Sequence, residues 1–339
     1  MAVYISQPAI HLPDHLVTRQ QLIDDMVARH PDHPRLGTVK RVVGQMPTTR
    51  RFSQPWNVVL ADHTADERNA TAFADVLGMG LTATRQALDR HSVTADQIDC
   101  IITSHSTGDA VPGLDVHLFA ELGMRPDVRR RPITQLGCGG GGHGLLMAAE
   151  AVQAHPGSLV LVVIAESLSS IYHHADTGIE MMIYKALWGD SGTAVLVSDR
   201  PLGPGLRIED TWEYLIPGTH DRYRKRIDHE GVHFDSDKTA TQSINEMAPA
   251  LRRWLARPVP GTIVDSGPAP ARGRWTSWSP TPAARRSSTT SPSISTSTTA
   301  CSTTPGTPST RSATSAEPAS STSSTAPTPP RRRPVRPAS

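Results

Sequence analysis

Along the first 265 residues, short continuous apolar runs alternate with stretches in which apolar residues recur every three or four positions. Strand-like and helix-like periods in alternation predict a layered α/β architecture rather than an all-helical or all-β one. Phe73, Leu77, Leu81, Thr84 and Leu88 fall at helical spacing and Asn69 stands where a cap is needed, so the pattern predicts a helix over roughly 70–90. Ile98 to Thr103 and residues 131–136 read as strands. Between Ser158 and Ala165 the run Leu-Val-Leu-Val-Val-Ile is unbroken, as expected of a strand covered on both faces, and Thr193 to Val197 is of the same type. Leu145 to Val152 reads as a helix, as does Thr239 to Leu255 through Ile244, Met247, Leu251 and Trp254.

The pattern stops at about residue 266. Of the 74 residues from Ser266 to Ser339, 33 are Ser or Thr, 13 Pro, 10 Ala and 9 Arg, with one acid, Glu317, and no Leu, Phe, Tyr, Met, Asp, Asn or His. Such a segment has too little apolar surface to offset its chain entropy. The charge changes with it: the whole chain carries +2, but without the tail's nine Arg and one Glu residues 1–265 hold 25 basic and 31 acidic groups, a net of −6. No run approaches the roughly 18 to 20 apolar residues of a membrane span, and the start lacks a charged region followed by an apolar core, so no secretory signal is expected. Cys100, Cys138 and Cys301 are odd in number and far apart, which speaks against a disulfide framework or a paired-cysteine zinc motif. The cytoplasm is the expected location.

One cysteine stands out by its setting. In Thr134-Gln135-Leu136-Gly137-Cys138-Gly139-Gly140-Gly141-Gly142-His143-Gly144 it falls at a strand-to-helix turn whose glycines permit close backbone approach. Free N–H groups and the dipole at a helix N-terminus favour negative charge, the setting in which a nucleophilic thiol works; a free cysteine is as often a small buried hydrophobe. The glycine run lacks the Lys-Ser/Thr ending of a phosphate-binding P-loop.

Gln135-Leu136-Gly137-Cys138 followed by Gly141-Gly142 resembles the nucleophile motif of the type III polyketide synthases, the chalcone synthase-like branch of the thiolase superfamily. The similarity runs over most of residues 3–267, through Pro8-Ala9-Ile10 with Leu12-Pro13, Ser106-Thr107-Gly108 with Pro112-Gly113, Glu166, and Leu187-Trp188-Gly189-Asp190. The resemblance implies a thiolase-like αβαβα fold, with residues 1–200 as an N-terminal half carrying the nucleophile and 201–267 as the start of a C-terminal half. It implies that Cys138 accepts a starter acyl group from an acyl-CoA and that malonyl-CoA extends it. Coenzyme A thioesters are then substrates, and no cofactor or metal is expected. Trp188 and Phe234 match two gatekeeping aromatics, Ser106, Thr107 and Leu168 fall at substrate-cavity positions, and Arg41 matches a basic residue near the coenzyme A phosphates. Gln45 takes the place of another member of that basic cluster. Val111 falls where the family inserts a side chain across a homodimer interface.

The chain also departs from the family. Thr262-Ile263-Val264-Asp265-Ser266-Gly267 resembles the strand that carries the family's catalytic His, with Asp265 in its place, and the tail holds no Asn to serve as the third member. An acid at that position would repel an oxyanion instead of donating to it. Shifted by one frame, codons of the tail permit a Gly-Asn pair and an amphipathic helix, so residues after about 267 are expected to be the product of a frameshift. The chain as written is then expected to condense poorly.

Other residues invite weaker readings. His143 and His105 flank the motifs but read as ordinary polar or half-buried histidines, and His173-His174 with Asp176 lacks the spacing of a helical metal-ligand pair. Two other functions compete: a ketoacyl synthase III acting on carrier-protein-bound malonate, and a non-catalytic protein binding nucleic acid through Arg331-Arg332-Arg333 and Arg336. The motif set places both below the polyketide reading.

Overall fold

The structure, a computed structural model, describes residues 1–257. Asp265, the remainder of the expected 201–267 unit and the tail from 268 lie outside the described residues.

The chain opens with β1 (Val3–Ser6), β2 (Ala9–His11) and β3 (His15–Thr18), then α1 (Arg19–Arg29), α2 (Leu36–Val43), β4 (Thr49–Phe52), α3 (Trp56–Val59) and the long α4 (Ala65–Arg90). The middle alternates β5 (Cys100–Ser104), α5 (Leu114–Leu122), β6 (Arg129–Ile133), α6 (Gly140–Ala154), β7 (Val160–Glu166), α7 (Ile179–Leu187) and β8 (Ser191–Ser198). After β9 (Gly205–Ile208) come the hairpin β10 (Tyr223–Asp228) and β11 (Gly231–Ser236), and α8 (Ser243–Leu255).

Seven strands form the main sheet in the order β6-β5-β7-β8-β1-β9, with β2 extending β1 along β8. β5 pairs parallel to β6 and β7, and the other pairings are antiparallel. The unbroken apolar run of β7 is read out with a period of two. Leu161, Val163 and Ala165 face a core built with Val76, Ala83 and Ala87 of α4 and Leu114 and Leu118 of α5. Val160 and Val162 face the opposite core, with Ala148 and Val152 of α6. The result is a helix–sheet–helix stack, the α-β-α part of the expected αβαβα layering. A third cluster joins α1, α2, the two-stranded β3–β4 sheet and α7 through Leu22, Met26, Val39, Val43, Phe52 and Met182. The boundary expected near residue 200 falls between β8 and β9, both strands of the main sheet.

Element boundaries moved where capping chemistry outweighed hydropathy. α4 begins at Ala65, because Thr64 and Glu67 form a reciprocal capping box. Asn69, expected as the cap, lies inside the helix and holds Asp109 instead, donating to its carbonyl and accepting from its N–H, both at 2.8 Å. β6 ends at Ile133 rather than 136, leaving Thr134 to Leu136 as an exposed link to the cysteine turn. Beside α6, the same sheet face carries a groove of about 580 Å³ whose lining includes Ile5, Ile164, Val195 and Leu206.

Candidate active site

Cys138 sits in a single 3₁₀ turn, Gly137–Gly139, between β6 and α6. Its side chain is exposed, at the end of a helix whose first N–H groups have no partner within the helix. Gly140 explains how the turn is held. A Cβ there would overlap Ser104 Oγ and stand 3.0 Å from Ser104 Cβ. Only glycine lets the start of α6 rest directly on the end of β5. One turn on, a Cβ at Gly144 would meet Val162 Cγ1 at 3.2 Å, so the same helix face stays tight against the sheet. Cys100, by contrast, is buried in β5 and its thiol is pushed up by burial, which leaves it a core residue.

Two residues beyond Ser104 begins the Ser106-Thr107 loop, and both side chains are buried. The Ser106 N–H and hydroxyl donate to Glu166 Oε1, each at 2.8 Å, and the Thr107 hydroxyl donates to Oε2 at 3.0 Å. Thr107 Oγ1 also accepts the Ser167 N–H at 2.9 Å. Burial pushes the Glu166 carboxyl above the usual carboxylate range, and these donors only partly oppose it. Asp190 is a second such centre. Its carboxylate accepts from Ser53 N–H, Ser169 N–H and the Ser169 hydroxyl, each at 2.7 Å, yet burial raises its pKa to about 6. Asp75 of α4 is a third, raised by burial while accepting from Gln54 and Ser167. Sequence reasoning marked Glu166 and Asp190 as motif members but missed Asp75, Ser53, Ser167 and Ser169; the serine-rich stretch 167–170 was the only available signal.

The two expected gatekeeping aromatics do meet. Trp188, at the C-cap of α7, stacks on Tyr184 with ring centroids 4.4 Å apart and presents its edge or face to Phe234 of β11 at 5.4 Å and 86°. The Tyr184 hydroxyl donates to Ser236 Oγ at 2.7 Å, tying the same two elements. Leu168 is half-buried at the start of the short turn Leu168–Ile171. Arg41 and Gln45 are exposed at the C-terminal end of α2, and Val111 is fully exposed.

The histidines have other engagements. His105 is buried with Nδ1 2.9 Å from the Thr107 carbonyl, and His143 Nδ1 pairs with Glu213 at 2.6 Å. His173 and His174 approach the carbonyls of Val232 and Leu60, while Asp176 accepts from His233 at 2.6 Å. Asp228, Glu230 and His233 converge within 4.8 Å. Within that group Arg226 pairs with Asp228, and the two His233 ring nitrogens lie 2.6 and 2.9 Å from the carboxylates of Asp176 and Asp228.

Comparison with known proteins fits this geometry. The family model for the N-terminal domain of chalcone and stilbene synthases matches residues 52–201. The 1,3,6,8-tetrahydroxynaphthalene synthase of Streptomyces coelicolor is 30% identical over 270 residues, 78% of this chain and 72% of that protein. The chain belongs to the type III polyketide synthases. The corresponding enzyme of Streptomyces griseus is 32% identical over 73% of this type III synthase chain, which spans 66% of that relative's length. The crystal structure of the S. coelicolor enzyme superposes with a TM-score of 0.71 at 31% identity, over 74% of this chain and 72% of that one. The layered fold of the type III synthases therefore accounts for the helix–sheet–helix stack around Cys138. The ketoacyl synthase III and nucleic-acid readings find no support among these relatives. Among the described residues no helix is long and apolar enough to cross a membrane.

Proposed function

We propose that this type III synthase takes an acyl group from an acyl-CoA onto Cys138 and extends it with malonyl-CoA to a pyrone or phenolic polyketide. The observation that carries the reading is the exposed Cys138 thiol at the start of α6, within the stretch matched to polyketide synthases. In the loading step the Cys138 thiolate attacks the thioester carbonyl, the bond to coenzyme A sulfur breaks, and the departing thiolate takes up a proton. Malonyl-CoA then loses carbon dioxide, its enolate carbon attacks the Cys138 thioester, and the Cys138 sulfur leaves as thiolate. Repetition lengthens the chain.

Trp188 and Phe234 stand at the entrance to the cavity in this reading, Leu168 limits it toward a short product, and Ser106 and Thr107 shape its wall. Arg41 meets the coenzyme A phosphates, and Val111 crosses to a second copy in a cytoplasmic homodimer that needs no cofactor. Because Asp265 stands at the family's His position, loading is expected to outlast condensation. The test is intact-mass analysis after incubation with an acyl-CoA. A single acyl increment on wild type, absent from Cys138→Ala, is expected, with little carbon dioxide released on adding malonyl-CoA. Failure of wild type to load any of a short-to-long series of acyl-CoA starters would refute the assignment.

A further inference from the structure

The hairpin that carries Phe234 has two faces, each gripped by a different part of the body. Arg226 and His233 are paired across the strands and share one face, where they meet Asp176 at 3.1 and 2.6 Å. Lys225 is paired with Phe234 and shares the other. On that side Phe234 meets Trp188, and Lys225 Nζ donates to the Ser106 carbonyl at 2.9 Å and pairs with Asp109 Oδ2 at 2.8 Å.

The loop that Lys225 grasps is itself tied down at three points. Glu166 holds Ser106 and Thr107, and Asn69 holds Asp109 through two hydrogen bonds. Gly108 has φ +72, and a Cβ there would stand 2.6 Å from the Phe73 backbone, so the loop lies flat on α4. We propose that Lys225 is a positioning residue of the acyl site: it clamps the Phe234 face of the hairpin to the Ser106–Asp109 loop and so fixes Phe234 against Trp188. The Lys225 side chain is 26% exposed, and one of its two partners is a backbone carbonyl of a buried residue. It is therefore more than a solvated surface ion pair. Ile227 and Val232, on the same hairpin face, wall a cavity of about 310 Å³ with Arg68 and Gly108, which loosening the clamp would widen.

The test compares wild type, Lys225→Met and Lys225→Arg in the full chain. Lys225→Met keeps most of the stem and removes the charge. Hydrogen exchange over residues 223–236 is expected to quicken about five-fold in Lys225→Met, the effect of losing a contact of this class, and to return toward wild type in Lys225→Arg. The second arm rests on the reading of Cys138 as acyl acceptor: the rate of Cys138 acylation is measured against the concentration of a short and a long acyl-CoA. Lys225→Met is expected to narrow the difference in apparent KM between the two while the maximal rate stays near wild type, and Lys225→Arg to restore it. Unchanged exchange overturns the clamp. Faster exchange with unchanged discrimination overturns the positioning of Phe234. Should wild type accept no acyl group, the assignment of Cys138 fails and the exchange arm alone decides the clamp.

Discussion

Gly140→Ala tests how tightly the start of α6 is seated on the sheet. Two effects oppose each other. Replacing glycine by alanine within a helix ordinarily stabilises by about 0.5 to 1 kcal/mol. Here the new Cβ overlaps Ser104 Oγ, the end of β5 is buried, and Ser104 itself is only 4% exposed. Overpacking of this kind costs about 1 to 3 kcal/mol, so the net expectation is destabilisation by about 1 to 2 kcal/mol. Two further variants isolate the cause. Gly142 lies two residues on in the same helix with nothing within 4 Å of its Cβ position, so Gly142→Ala should stabilise. Ser104→Ala removes the overlapping oxygen and leaves its Cβ at 3.0 Å, a contact that a shift of a few tenths of an ångström relieves. The double variant Ser104→Ala/Gly140→Ala should therefore recover about 1 kcal/mol or more, a coupling of the size expected for residues in contact. Urea unfolding followed by circular dichroism gives the stabilities, and iodoacetamide alkylation of Cys138 reads whether the turn has moved. A neutral or stabilising Gly140→Ala, or a double variant no better than the single, would refute the seating argument.

Two buried groups should bend the pH dependence of stability in opposite directions. Asp190, ordinarily near 3.8 and raised to about 6 in the fold, holds a proton that the unfolded chain releases. Its contribution is full below about pH 4 and lost as pH rises through about 6, on the order of 3 kcal/mol; because His173 opposes it over much of the same window, the stability difference between wild type and Asp190→Asn isolates it, and a difference that stays constant from pH 4 to 7 would contradict it. His173, lowered from 6.5 to about 4 chiefly by burial, is held neutral. Its contribution is present above about pH 6.5 and lost as pH falls through about 4, so His173→Gln should resist acid better relative to its own neutral-pH stability. Sequencing of the coding DNA over codons 255–339 is expected to find an inserted or deleted base whose correction places His at or near position 265 and a Gly-Asn pair beyond it; an unaltered reading frame would sink the frameshift.

What could be read in advance depended on how local the physics was. β7 was legible because burial on both faces leaves an unbroken apolar run, and Cys138 because glycines on both sides mark a sharp turn. The seating face of α4 was only half legible. Phe73, Leu77 and Leu81 proved to be flanking residues, while Gly80, Ala83 and Ala87 lie buried against the sheet; small residues carry little hydropathic signal although they set the approach distance. The hairpin was hidden for a related reason. Tyr-Arg-Lys-Arg-Ile-Asp of β10 is exposed or half-buried throughout, with no alternation of apolar and polar residues to betray a strand.

The carboxylate centres illustrate a different limit. Glu166 reaches partners 60 residues away and Asp75 a partner 92 residues away, so no window of sequence contains either arrangement. Yet they explain why the site residues fall where they do. A carboxylate accepts several hydrogen bonds and donates none, which suits the three donors that Glu166 receives from the Ser106-Thr107 loop and the three that Asp190 receives from Ser53 and Ser169. Each acid thereby ties segments that carry candidate site residues: Glu166 joins the loop after β5 to the end of β7, and Asp190, next to Trp188, joins the end of β4 to the turn bearing Leu168. Burial favours the neutral acid while the donors favour the charged one, and the raised values show burial prevailing in part. The cost of burying these acids is thus coupled to the placement of Ser106, Leu168 and Trp188, and protonating or replacing one should disturb residues that it never touches through the segments that it holds together.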